Sequence, residues 1–126
     1  MPREVIHTDK APAAIGPYSQ AVKAGGFLFV SGQIPLDPAT GEVVPGPIEA
    51  QARQVMENLR AILAAEGLEM SRVVKTTIYL ANLEHFAAVN EVYAEAFQEP
   101  FPARACIQVA ALPKGARIEI EAVARA

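Results

Sequence analysis

Apolar and polar residues alternate in two stretches near the carboxyl end of the chain, residues 103–109 and residues 117–122. Alternation with a period of two is typical of a strand that is buried on one face only. Pro and Gly occur in the segment between the two stretches, residues 112–115, and they favour a turn there. The pattern therefore predicts two antiparallel strands that form a hairpin.

The predicted hairpin would bring charged residues of both strands onto one face. Its register sets Gln108 across from Glu119 and Cys106 across from Glu121, because side chains on paired strands meet residue by residue. Arg104 lies on the same face of its strand as Cys106, two residues away. We therefore expect a guanidinium, a thiol and two carboxylates on this face, although alternating charge is also typical of an ordinary solvated surface.

Two other segments have apolar residues at spacings of three and four, which predicts amphipathic helices. The first runs from Pro47 to Glu66 and ends before Gly67, since Pro is favoured in the first turn of a helix and Gly just after its end. The second follows Asn82, a suitable N-cap. Its apolar stripe consists of Leu83, Phe86, Val89, Tyr93 and Phe97.

Four further segments contain the β-branched and aromatic residues that are typical of strands. These segments are residues 3–7, 20–23, 26–33 and 72–80. Together with the two terminal strands they give the order β-β-β-α-β-α-β-β. This order predicts an α+β fold in which two helices cover one face of a six-stranded sheet.

The strands offer apolar residues to both faces of this sheet, among them Phe27, Phe29, Ile78 and Leu80. Two helices can cover only one face, so the other face needs a different partner. The simplest partner is a second copy of the same chain. A cleft is then expected at the junction between copies.

The composition fits one soluble domain spanning residues 1–126, since 52% of the residues are apolar and 20% are charged. A net charge of −3 and a pI near 5.4 provide no basic surface for nucleic acid or for an anionic membrane. We find no signal peptide and no apolar run of membrane-spanning length, so we expect a cytoplasmic protein. The single cysteine excludes an internal disulfide, and the spacing of His7 and His85 indicates no metal site.

Six short motifs, spread over nearly the whole chain, resemble those of the RidA (YjgF) family of reactive-intermediate deaminases. Each motif alone is weak, whereas the complete set in this order is highly specific. The motifs are Ala11-Pro-Ala-Ala-Ile-Gly-Pro-Tyr-Ser-Gln20, Phe29-Val-Ser-Gly-Gln-Ile34, Val74-Lys-Thr-Thr-Ile-Tyr79, Phe86 with Asn90 and Tyr93, Pro102-Ala-Arg104 with Cys106 and Leu112-Pro113, and Ile118-Glu-Ile-Glu121.

The resemblance implies a chorismate-mutase-like α+β fold with a mixed sheet, assembled as a homotrimer whose clefts lie between subunits. It also implies hydrolysis of reactive enamines and imines, such as 2-aminoacrylate, 2-iminopropanoate and 2-iminobutanoate, to 2-keto acids and ammonia. Such intermediates are released by pyridoxal-phosphate enzymes, and the family uses no cofactor. The expected partner is therefore a small imine that bears a carboxylate, and neither a nucleic acid nor a membrane.

The resemblance assigns three chemical roles. Arg104 is the anchor for the substrate carboxylate, which a planar guanidinium can hold with two bonds. Glu119 handles protons, since one carboxyl can serve first as base and then as acid. Tyr18 orients the substrate or the attacking water. The plain alternatives are a surface charge for Arg104 and, for Glu119, an electrostatic partner of Arg104 or Arg117.

Three more residues, Ser31, Asn90 and Cys106, are expected to contact substrate. We expect no covalent role for Cys106, because no histidine is near it in sequence and imine hydrolysis needs no covalent step. The hydroxyl of Ser31 either bonds nearby backbone or faces the cleft. The amide of Asn90 must be satisfied if it is buried, so a bracing role is equally open.

Two other functions compete with hydrolysis. Some members of the family are described as endoribonucleases, but the acidic pI and the absence of a histidine pair argue against phosphodiester chemistry here. The chain could instead be a non-catalytic trimeric module that binds small carboxylic acids. Arg104 alone would serve such a module, whereas Glu119 and Tyr18 would be unnecessary.

Overall fold

The computed structural model describes residues 3–126 and contains six strands and two α-helices within them. The strands are β1 (Glu4–Ile6), β2 (Ala21–Ala24), β3 (Phe27–Gln33), β4 (Val73–Leu80), β5 (Ala103–Gln108) and β6 (Ile118–Arg125). The helices are α1 (Ile48–Ala65) and α2 (Phe86–Ala96). The predicted order and the α+β class are confirmed. Neither helix is long and apolar enough to cross a membrane.

The second helix begins later than the sequence pattern predicts. The side chain of Asn82 does act as a cap, and it accepts a hydrogen bond of 2.9 Å from the backbone N–H of Glu84. What it caps is a short 3₁₀ turn, Leu83–His85, and the α-helix itself starts at Phe86. A 3₁₀ turn at the beginning of a helix is common because its tighter geometry uses otherwise free backbone groups.

The sheet is mixed, and its strand order is β1-β2-β3-β6-β4-β5. The predicted hairpin between the last two strands is therefore wrong. β4 lies between them, parallel to β5 and antiparallel to β6. The parallel pair β4 and β5 is connected by α2, which is the usual crossover for parallel strands. The alternating pattern identified both strands correctly, but it does not say which strands are neighbours.

The pairing of the strands shows which residues share a face. One row of paired residues crosses β2, β3, β6, β4 and β5 in that order. It consists of Ala21, Val30, Ala122, Thr76 and Arg104. The first four of these residues are at most 5% exposed, because the two helices cover them. We call this side of the sheet the helix face and the opposite side the open face. Arg104 belongs to the helix face.

The carboxylates of β6 lie on the open face. Glu119 and Glu121 alternate with Ile118 and Ile120, which are fully buried beneath the helices. The expectation that Arg104 and Cys106 share a face with the two glutamates is therefore wrong. Because direct neighbours across a sheet point the same way, Cys106 lies beside Ile78 and Ile120 on the helix face.

The open face carries an apolar row that no helix covers. The row consists of Val5, Val22, Phe29 and Val123, which lie side by side on β1, β2, β3 and β6. Phe29 is 45% exposed and Phe27, on the same face, is 41% exposed. Both phenylalanines thus lie where the sequence predicts an uncovered apolar surface. Ile78 and Leu80 instead pack fully under the helices.

Buried amide side chains fix the loops at one end of the sheet. Gln20 accepts a hydrogen bond from the backbone of Thr8 and donates to the carbonyl of Pro12, over 2.7 and 2.8 Å. Asn58 of α1 donates to the carbonyls of Ile34 and Leu36. Buried polar groups must be satisfied, so these bonds hold both loops in place. The two loops form part of the cavity described below.

A buried hydrogen bond ties β4 to α2. The hydroxyls of Thr76 and Tyr93 are 2.8 Å apart, and both residues are at most 6% exposed. Tyr93→Phe should lower the free energy of unfolding by about 1–3 kcal/mol, because it leaves the Thr76 hydroxyl buried without this partner. The double variant Thr76→Val/Tyr93→Phe should lose less than the sum of the single variants, since both polar groups are then gone. Urea unfolding of the four proteins measures this coupling, and additive losses would contradict it.

Candidate functional site

One cavity lies where the open face meets the loops, and we call it the acidic cavity. Its volume is about 670 Å³, and it contains Glu119, Tyr18 and Ser31 among its lining residues. Lys114 and the apolar side chains Ile15 and Leu36 also line it. Three of the six residues predicted from sequence therefore come together here. Tyr18, one of these lining residues, is 55% exposed.

A bulge in β3 shapes one wall of this cavity. Val30 pairs with Ala122 and Gln33 pairs with Ile120, so three steps along β3 match two along β6. One extra residue is thus inserted at Ser31 and Gly32, and it interrupts the regular alternation of the strand. Ser31 does bond nearby backbone, because its hydroxyl donates to the carbonyl of Ser19 over 2.6 Å. It also lines the cavity, so both expectations for Ser31 hold together.

The carboxyl of Glu119 is half-buried beside this bulge. Burial raises the pKa of Glu119 above its ordinary value, and the neighbouring carboxylate of Glu121 raises it further. No ion pair within residues 3–126 involves Glu119. The expected alternative, a charge that balances Arg104 or Arg117, finds no support in the geometry. The guanidinium of Arg117 instead donates to the carbonyl of Gly46.

Glu121 has a partner of its own on the open face. The hydroxyl of Tyr79 donates to its carboxylate over 3.0 Å. This hydrogen bond is the main reason that the pKa of Tyr79 is raised, since the bonded proton is harder to remove. Tyr79 also lies directly across from Glu119. The surroundings of Glu119 are therefore rich in acceptors and weakly acidic groups.

Arg104 lines a second cavity on the other face of the sheet, which we call the arginine cleft. Its volume is about 420 Å³, and Asn90, Tyr93 and Phe101 are among its lining residues. The guanidinium donates to the side-chain oxygen of Asn90 over 2.7 Å and lies 4.9 Å from the ring centroid of Tyr93. The ring of Phe86 is 5.4 Å away on the same helix. Together these contacts orient the guanidinium.

Asn90 thus braces Arg104, and sequence reasoning missed that Phe86 and Tyr93 serve the same group. A signal was present, since Phe86, Asn90 and Tyr93 recur at helical spacing and share one face of α2. Asn90 accepts only one of the five guanidinium N–H bonds, so the others are available for a carboxylate. Cys106 packs against the core nearby, and burial raises the pKa of its thiol. This environment does not favour a thiolate nucleophile.

The two cavities share no residue. On β4, Thr76 pairs with Arg104 and Tyr79 pairs with Glu119. Thr76 and Tyr79 are three positions apart, which is about 10 Å along the strand. β5 and β6 are separated by two strand spacings, about another 10 Å. The Cα atoms of Arg104 and Glu119 are therefore about 14 Å apart, and their side chains point to opposite faces of the sheet.

Each cavity can do half of a reaction. The arginine cleft can hold a small carboxylate through a guanidinium that is already oriented. The acidic cavity holds a carboxyl that can exchange a proton and hydroxyl groups that can orient a water molecule. A three-carbon acid is far too short to reach from one cavity to the other within a single chain.

Comparison with known proteins identifies close relatives over nearly the full chain. A family model described as Endoribonuclease L-PSP matches residues 8–126. A RutC family protein of Pyrococcus horikoshii is 57% identical over 122 residues, which cover 97% of this chain and 97% of that protein. A protein of the goat, Capra hircus, named 2-iminobutanoate/2-iminopropanoate deaminase is 54% identical and covers 97% of this chain and 89% of its own length.

A solved structure shares the fold as well as the sequence. The crystal structure of RidA from the Antarctic bacterium Psychrobacter sp. superimposes with a TM-score of 0.93 at 50% identity, covering 98% of this chain and 99% of that one. Identity at this level over almost the whole length is evidence of common descent and not of a shared fold alone. The chain belongs to the endoribonuclease L-PSP family, which is the RidA (YjgF) family that its motifs resemble.

Proposed function

We propose that this protein hydrolyses small enamines and imines that bear a carboxylate, of the 2-aminoacrylate, 2-iminopropanoate and 2-iminobutanoate type, to 2-keto acids and ammonia. The observation that carries the proposal is the carboxyl of Glu119, which is partly desolvated and unpaired in a cavity lined by two hydroxyl groups. The name of the goat relative supports the same substrate class. A purely structural acidic residue gains nothing from such surroundings.

The reaction adds one water across the C=N bond. A carboxylate takes a proton from the water as its oxygen attacks the imine carbon, and the C=N electron pair moves to nitrogen. The protonated carboxyl then returns the proton to nitrogen, which gives a carbinolamine. The carboxylate next takes the proton of the carbinolamine hydroxyl and passes it to nitrogen, and the C–N bond breaks to release ammonia and leave a carbonyl. Glu119 is the proposed base and acid, because burial raises its pKa and so makes its carboxylate a stronger base than an ordinary exposed carboxylate.

Arg104 is the proposed anchor for the substrate carboxylate. Its guanidinium is already held by Asn90 and by the rings of α2, so little freedom is lost when substrate binds. Tyr18 and Ser31 are proposed to orient the water or the imine nitrogen, since both line the acidic cavity. The proposed contribution of Cys106 is contact with substrate beside Arg104, without a covalent step.

The site is proposed to form between two chains of a homotrimer. Within one chain Arg104 and Glu119 are on opposite faces of the sheet and about 14 Å apart, so both can act on one small acid only if they come from different copies. The uncovered row of Val5, Val22 and Phe29 gives each copy an apolar surface to bury. The number of three copies is the family's arrangement.

The competing functions make different demands on the site. A module that only binds carboxylic acids needs Arg104 but not Glu119. An endoribonuclease needs acid–base groups beside a phosphate, and neither His7 nor His85 lines either cavity. His7 is exposed near the amino end, and His85 lies in the turn before α2. The two variants below separate hydrolysis from simple binding.

Glu119→Gln should lower the turnover of 2-iminopropanoate by about 10²–10⁴-fold, the usual contribution of a general acid–base. Gln has nearly the same size and accepts a hydrogen bond, but it cannot exchange a proton. Affinity for the keto-acid product, measured by calorimetry, should change little, because Arg104 supplies that contact. Glu57→Gln on the exposed surface of α1 is the matched control, and it should leave both quantities unchanged.

Stability provides a second readout for Glu119→Gln. A pKa that is raised in the folded protein means that folding disfavours the ionised form, so above that pKa the charge costs stability. Removing the charge should therefore leave the melting temperature at neutral pH equal or higher. Nearly intact turnover together with a lower melting temperature would show that Glu119 balances charge and is not catalytic.

Arg104→Lys should weaken the binding of the keto-acid product, which Glu119→Gln should leave nearly unchanged. The charge remains, but the planar fork and its contact with Asn90 are lost. A lost hydrogen bond to a charged group costs about 1.5–3 kcal/mol, so product affinity should fall by roughly 10- to 100-fold. Arg60→Lys, another exposed arginine, is the matched control. Unchanged product affinity in Arg104→Lys would rule out Arg104 as the anchor.

A further inference from the structure

The backbone of Gly32 and the carboxyl of Glu119 approach each other more closely than any side chain on residue 32 would allow. A Cβ atom placed on Gly32 would overlap Oε2 of Glu119 and would lie 2.8 Å from its Cδ and 3.1 Å from its Cγ. These three atoms are the nearest to that position, and all belong to Glu119. The carboxyl of Glu119 thus occupies the space that a side chain would fill.

Backbone conformation does not explain the glycine. Gly16, Gly25 and five other glycines have the positive φ that favours glycine, but Gly32 does not. Glycine within a strand lacks a side chain to pack and weakens the strand. The advantage of glycine at residue 32 is therefore steric room, on the side of the bulge that faces Glu119.

The other groups around Glu119 do not hold its carboxyl by charge. Glu121 faces it from its own strand, and Tyr79 faces it from β4 with a hydroxyl that already bonds Glu121. Ser31 of β3 and the loop residues Tyr18 and Lys114 line the same cavity. Lys114, the one cation among the lining residues, donates to the carbonyl of Gly41. The room beside Gly32, in contrast, is the space that the carboxyl directly occupies.

We infer that Gly32 is a positioning residue: the absence of a side chain lets the Glu119 carboxyl lie against the backbone of β3, and any larger residue would push it out toward solvent. The effect on turnover rests on the function proposed above, whereas the effect on the carboxyl does not. A displacement toward water would remove part of the desolvation that raises the pKa of Glu119. The carboxyl would then be both misplaced and less basic.

The direct test is an NMR titration of the Glu119 side-chain carboxyl in the wild-type protein and in Gly32→Ala. The pKa of Glu119 should be lower in Gly32→Ala. Val30→Ala is the control, because Val30 is buried on the helix face of the same strand, and its truncation weakens β3 without adding an atom beside Glu119. An unchanged or higher pKa in Gly32→Ala would overturn the inference, as would an equal fall in Val30→Ala.

Turnover and stability provide two further readouts. A catalytic group displaced by about 1 Å costs about a hundredfold, so Gly32→Ala should lose roughly 10- to 100-fold in turnover, with less effect when Glu119 is already Gln. If the wild-type protein shows no turnover, the proposed function fails while the titration still decides the role of Gly32. Gly32→Ala should lower the melting temperature less in a Glu119→Ala background than in the otherwise wild-type protein. Equal falls in the two backgrounds would overturn the inference.

Discussion

The constraint on which the rest of the structure depends is that two helices cover only one face of a six-stranded sheet. Side chains alternate between the faces, so every strand sends half of its residues to the helices and half to the open face. Arg104 falls in the first group and Glu119 in the second. Under the proposed function a single chain therefore contributes one residue to each of two sites, and the uncovered apolar row is a surface that another copy would bury.

The sequence predicted the elements well because helical and strand periodicities differ clearly, as in α1 and the two terminal strands. It did not predict that β4 separates β5 from β6, because alternation is a property of one strand and contains no information about neighbours. The shared face of Arg104 and Glu119 was an error of this kind. Alternation correctly grouped Arg104 with Cys106, but it could not say that their side of β5 faces the helices.

Within the candidate site, the types of residue were more predictable from sequence than the contacts that position them. Arg, Glu and Tyr were recognisable from their motifs, whereas the roles of Phe86, Tyr93 and Gly32 depend on contacts between distant elements. Two different elements position the two charged groups. α2 orients a cation that can bind a carboxylate, and the bulge of β3 leaves room for a carboxyl whose pKa burial raises.

The central claim is that Arg104 and Glu119 of different chains form one site, and mixing two variants that each impair one of these residues tests it directly. Chains with Arg104→Lys and chains with Glu119→Gln are unfolded together in equal amounts and refolded. In the proposed trimer, random mixing should give about a quarter of the clefts an intact pair, so imine hydrolysis should recover to about that fraction of the wild-type rate. No recovery in mixed trimers of normal stability would contradict the account, because a site within one chain cannot be restored by mixing.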